Sequence, residues 1–140
     1  MKNGYLLIPA IVAGLAFVAC GDMDMKERKA VPKYHTESEP GLWEGEIDTH
    51  VPIVTFEGRN VIMVRVPLKP SQTPRHYIEA IALLDGSKEI AIQRFSFTFN
   101  EARARFTLPD PEKGSYRVVA KCNLHDMWIA PVNPPGEKKK

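Results

Sequence analysis

The sequence predicts an all-β fold, an immunoglobulin-like β-sandwich of about seven strands, on three observations. Short runs rich in β-branched and aromatic residues recur from residue 51 onward, each closed by a turn signal. Two of them alternate with the period of a half-buried strand: Phe95, Phe97 and Phe99, and Arg103, Arg105 and Thr107 against Ala102, Ala104, Phe106 and Leu108. No stretch carries a convincing apolar stripe at helical spacing.

Taken in order, the chain opens outside that fold. Met1-Lys2-Asn3 is a short charged start, and the apolar run from Tyr5 to Val18 is too short to span a bilayer comfortably. Residues 1–19 therefore read as a signal peptide of lipoprotein type. Phe17-Val18-Ala19-Cys20 resembles a bacterial lipobox, in which Cys20 becomes the lipidated first residue and the membrane a partner. A plain secretory signal or a single anchoring helix is the alternative. All of these place the globular part outside the cytoplasm, on the periplasmic side or the cell surface. Residues 20–40 are rich in charged residues, Ser and Pro, the composition of a flexible spacer. His35 reads as an ordinary solvated residue within it.

The domain spans residues 41–133, and 134–140 is a basic, solvated tail. Gly41-Leu42-Trp43-Glu44-Gly45-Glu46 brings the first Trp and starts the packing. Val51–Phe56 and Val61–Val66, joined through Glu57-Gly58-Arg59-Asn60, form a hairpin signal. Three prolines make residues 67–74 a loop. Strands are then expected at 76–84, 90–99, 102–108, 116–122 and 127–132.

A chain of 140 residues allows one such domain. Of its 19 Lys and Arg, Lys2 leaves with the signal, so 18 face 17 Asp and Glu. That near-neutral balance gives no sign of nucleic-acid binding. There is no internal repeat, no Gly-rich phosphate loop, and no Ser in a nucleophile-elbow context. One copy and a homo-oligomer both remain open.

The chain has two cysteines. With Cys20 given to the lipid, Cys122 has no internal disulfide partner in an oxidising compartment, so it is buried, reactive or a metal ligand. It closes a strand and stands three residues before His125 in Cys122-Asn123-Leu124-His125-Asp126-Met127-Trp128. Thiolate and imidazole are ligands for iron, copper and zinc. Two more histidines fall at strand boundaries, His50 in His50-Val51-Pro52 and His76 in His76-Tyr77-Ile78.

These three motifs, in this order, resemble the iron domain of the superoxide reductase family of desulfoferrodoxins and neelaredoxins, over residues 41–132. The resemblance implies a mononuclear non-haem iron with His50, His76 and His125 as equatorial ligands, Cys122 as axial ligand and one open position. It also implies one-electron reduction of superoxide to peroxide. The family's His-Pro at the start of the proline loop is replaced by Leu68-Lys69-Pro70. One equatorial position is thus empty, filled by water or supplied from elsewhere, with His35 the only spare histidine. The family's Glu-Lys before His-Val-Pro is replaced by Asp48-Thr49. Glu46 or Asp48 then stands in for the Glu, and Lys69, Arg75 and Lys121 for the positive potential.

Two other readings stay open: a blue-copper-like electron carrier using Met127, and a metal-free binding module on the same scaffold. A rubredoxin-like centre needs four cysteines, so a superoxide reductase of this sequence takes its electrons from an external donor protein.

Overall fold

The structure is a computed structural model that describes residues 34–69 and 72–134. The expected signal peptide, Cys20, residues 20–33 of the expected spacer and the end of the expected tail lie outside the described residues. Two sheets face each other. One has five strands in the order β1 (Tyr34–His35), β8 (Met127–Pro131), β7 (Tyr116–Cys122), β4 (Ile78–Asp85) and β5 (Lys88–Arg94). The other has three, β2 (Ile53–Phe56), β3 (Val61–Val66) and β6 (Ala102–Thr107).

The residue pattern explains the layers. β3 and β6 pair antiparallel with Ile62 opposite Phe106 and Val64 opposite Ala104, and alternate residues of each strand point into the core. β4 and β7 are central strands, which is why their apolar runs are nearly continuous. Ile81, Leu83 and Val118 meet Ile62, Val64 and Phe106 in the space between the sheets. On the outer face Leu84, Val119 and Ile129 form a smaller cluster, with Met127 packed against it. Each fully buried aliphatic side chain contributes roughly 1.5–3 kcal/mol, so this core holds the end of β7, and with it Cys122, firmly.

Three departures from the sequence reading have local causes. The strand expected at 90–99 ends at Arg94, because Phe95 N–H turns to donate to Glu79 O and Phe99 N–H closes a turn on Ser96 O. Phe95 and Phe99 then meet edge to face at 5.7 Å, leaving Phe97 and Phe99 45% and 48% exposed. Their alternation marks an aromatic turn, which mimics a strand's period. Second, the residues before His50 are mostly helical: 3-10 turns over Gly41–Glu46, kinked at Trp43, run into α1, Ile47–His50. That delays the first strand of the hairpin to Ile53.

Third, residues 34–35 of the expected spacer are not a spacer. They form β1, an eighth strand, parallel to β8 with His35 opposite Trp128. His35 is 2% exposed, so it is not the solvated residue its neighbours suggested.

Candidate metal centre

Four side chains from three parts of the chain meet at one end of the sandwich. α1 delivers His50 at its C-terminus, fully buried. β7 delivers Cys122 at its end, and the loop to β8 delivers His125. His76 comes from a tight turn in which Thr73 and His76 exchange backbone hydrogen bonds of 2.9 and 3.1 Å. Asn123 fastens that turn to the Cys122 loop: its Oδ1 accepts from Tyr77 N at 2.9 Å and its Nδ2 donates to Arg75 O at 3.0 Å. A shift in register between Ile78 and Ala80 brings the start of β4 opposite Cys122, the irregularity common beside functional sites.

One ligand atom from each of His50, His76, Cys122 and His125 lies within 4.8 Å of the other three. Nε2 of His50 is 3.0 Å from Nε2 of His76 and 2.9 Å from Nδ1 of His125. Cys122 Sγ is 3.9 Å from that same Nδ1. An imidazole nitrogen offers one proton or one lone pair, so His50 Nε2 cannot form two full hydrogen bonds here. A shared cation satisfies all three nitrogens. Two nitrogens each about 2.1 Å from one ion and at right angles to it lie about 3 Å apart. The donor set, three imidazoles and a thiol, fits a first-row transition metal.

The surroundings prepare the donors. Nδ1 of His50 lies 2.8 Å from Thr49 Oγ1, and that hydroxyl donates to Glu46 Oε2 at 2.9 Å. This chain of contacts favours the proton on Nδ1 and aims the Nε2 lone pair at the cluster. Burial, then the nearby His125, pulls the His50 pKa down to about 4, so the ring is neutral at pH 7. The same two causes lower His76. Burial raises the Cys122 thiol above its ordinary value, against the opposing pull of the Leu124 and His125 backbone N–H groups. The Thr49 hydrogen bond chiefly lowers the carboxyl of Glu46.

Other expected residues stand elsewhere. Glu46 reaches the outer edge of His50, away from the face on which the four donors converge. Asp48 is exposed and lines a separate cleft with Ile47, Val51 and Pro131. Lys69 is exposed beyond β3 and forms no hydrogen bond or ion pair among the described residues. Lys121 is paired with Glu79 at 2.6 Å, which reduces its value as free positive potential. Met127 packs on the outer cluster with Leu84 and Val119, so it is not placed as the axial ligand of a copper site. His35 is not a fifth member of the cluster; its Nε2 lies 3.2 Å from Asp126 Oδ2.

Thr49, Asn123 and Asp126 support the site although no motif in the sequence marks them for that role. Asn123 was open to notice, since it sits between two donors and carries both a donor and an acceptor. Asp126 takes φ +59°, a left-handed turn for which Asp is better suited than most residues.

The desulfoferrodoxin profile matches residues 41–131, a span that holds all four donors. The chain belongs to the desulfoferrodoxin family. It is 29% identical over 85 residues to a desulfoferrodoxin of Clostridium acetobutylicum, covering 61% of this chain and 63% of that one. It thus spans a little under two thirds of that relative's length. A superoxide reductase from Giardia intestinalis aligns with TM-score 0.53 at 29% identity, over 61% of this chain and 98% of that one. The superoxide reductase of Treponema pallidum aligns with TM-score 0.50 at 24% identity, over 62% of this chain and 69% of that one, a likeness of fold.

Proposed function

We propose that this desulfoferrodoxin-family protein is an iron-dependent oxidoreductase that reduces superoxide to hydrogen peroxide. The observation that carries the reading is the convergence of His50, His76, His125 and Cys122 within 4.8 Å on this family's fold. Those four residues would hold one mononuclear iron, three through imidazole nitrogen and Cys122 through thiolate. When bound, iron supplies the single electron that, with two protons, turns superoxide into hydrogen peroxide, and an external donor protein restores it.

The chain's own residues bind, orient and exclude. Cys122 gives up its proton as metal enters, and the Leu124 N–H, 3.5 Å from Sγ, favours the resulting thiolate. Glu46 and Thr49 hold the His50 ring. Trp43, 4.8 Å from the His125 ring, and Trp128, 5.7 Å from the His50 ring, wall the site against water. His76 and His125 are partly exposed, which leaves a side from which a small anion can approach. Arg75, exposed on the His76 turn, would draw the anion toward that side.

We place the domain outside the cytoplasm, anchored to a membrane by lipid on Cys20. The test is superoxide consumption by the iron-loaded protein with a stoichiometric reductant. One hydrogen peroxide per superoxide, without evolved oxygen, is expected. Iron-loaded protein that leaves superoxide to dismutate at the uncatalysed rate overturns the reading.

A further inference from the structure

His35 precedes the residues matched by the family profile, yet it is buried beside Trp128, whose ring lies 5.7 Å from that of His50. Its Nε2 lies 3.2 Å from Asp126 Oδ2, the residue directly after His125. The same oxygen accepts from Trp43 Nε1 at 3.1 Å. Trp43 in turn packs on the His125 ring, at 4.8 Å between centroids. The His35 ring sits 5.5 Å from Trp128, whose Nε1 donates to His125 O at 2.9 Å. Two independent routes therefore run from His35 to His125, one through a carboxylate and one through an indole.

The backbone is built around this contact. β1 runs parallel to β8 and sets His35 beside Trp128. Gly41 turns at φ +61°, and a Cβ there would lie 3.3 Å from the His35 ring. A side chain at Gly41 would be strained and would press on His35. Asp126 is itself held in a left-handed conformation, and its carbonyl accepts from Cys122 N–H at 3.0 Å, closing the loop that carries both Cys122 and His125.

We propose that His35 is a positioning residue of the metal centre, and that residues 34–43 form a strap fixing the Cys122–His125 loop through Asp126 and Trp128. The inference rests on the metal-binding reading above. Its physical content is preorganisation: a loop held in its bound shape keeps a metal longer and presents His125 in one orientation.

The test follows Co(II) in the full chain, by the thiolate-to-cobalt absorption and by the rate of release to a chelator. His35→Leu keeps apolar volume against Trp128 but removes the hydrogen bond, whereas His35→Gln can restore it. Release about 10-fold faster with an altered cobalt spectrum in His35→Leu, largely reversed in His35→Gln, is expected. Trp43→Phe removes the second donor to Asp126 and should also release faster; it carries the test if His35→Leu does not fold. Release rates and spectra equal to those of the unaltered protein overturn the strap. A fast His35→Leu that His35→Gln does not rescue also overturns it, leaving His35 a packing residue only. An unaltered protein that takes up no cobalt overturns the metal-binding reading, and the strap with it.

Discussion

At Cys122 two opposing effects decide the site's chemistry. Burial raises the thiol's pKa, and the neighbouring backbone N–H groups only partly offset that, so the metal-free protein carries a thiol at pH 7. Metal then has to displace a proton. His50 adds no competing proton there, because its pKa is held down at about 4. Metal affinity should therefore rise at least tenfold per pH unit between pH 6.5 and 7.5, with at least one proton released per metal, as read by competition with a chelator dye. An affinity flat across that range contradicts the thiol assignment. Glu46→Gln leaves Thr49 able to donate but removes the charge that stabilises the polarised His50 ring. It should weaken metal binding about 10-fold, within the span usual for groups that orient a ligand. The fold should tolerate this change, since the Glu46 side chain is half-buried and Gln keeps its size; unchanged affinity with an intact thermal midpoint would remove Glu46 from the site.

At the scale of elements, the site is made by two connections, the His76 turn and the Cys122–His125 loop, with Asn123 fastening one to the other. Asn123→Ala removes the acceptor of Tyr77 N–H and the donor to Arg75 O. A loss of about 1–3 kcal/mol in urea unfolding is expected, together with weaker metal binding as His76 loosens. The strands were the legible part of the sequence. β7 matches its expected limits because Tyr116–Cys122 is bounded by Gly114 on one side and by the donor loop on the other. The Phe95–Phe99 segment misled because three aromatics clustering around a turn share the period of a strand. β1 was not legible, since a two-residue strand has no periodicity to read and its partner lies some ninety residues on. That His50, His76, Cys122 and His125 belong together was recognisable by motif, and they do converge; their supports were not, because Thr49 and Asp126 act through geometry that only the folded chain provides.

For the whole molecule, metal and protons act on stability in opposite directions. In the metal-free protein His50 resists protonation when folded and accepts a proton near pH 6.5 when unfolded. Between pH 6.5 and about 4 the unfolded state binds more protons at this ring, so the stability that His50 contributes falls as pH drops through that window and levels off below it. Chemical unfolding of metal-free protein at pH 7 and pH 5 should show the loss, and His50→Gln should reduce it, with the remainder carried by His76. A bound metal works the other way, adding about 2.7 kcal/mol when its free concentration is 100 times its Kd. One iron site formed by Cys122 and three histidines would show itself in the iron content and visible absorption of the oxidised protein, unaltered and as Cys122→Ser. The expected result is one iron per chain with a thiolate-to-iron band that the substitution abolishes. The same band and iron content in Cys122→Ser would contradict it.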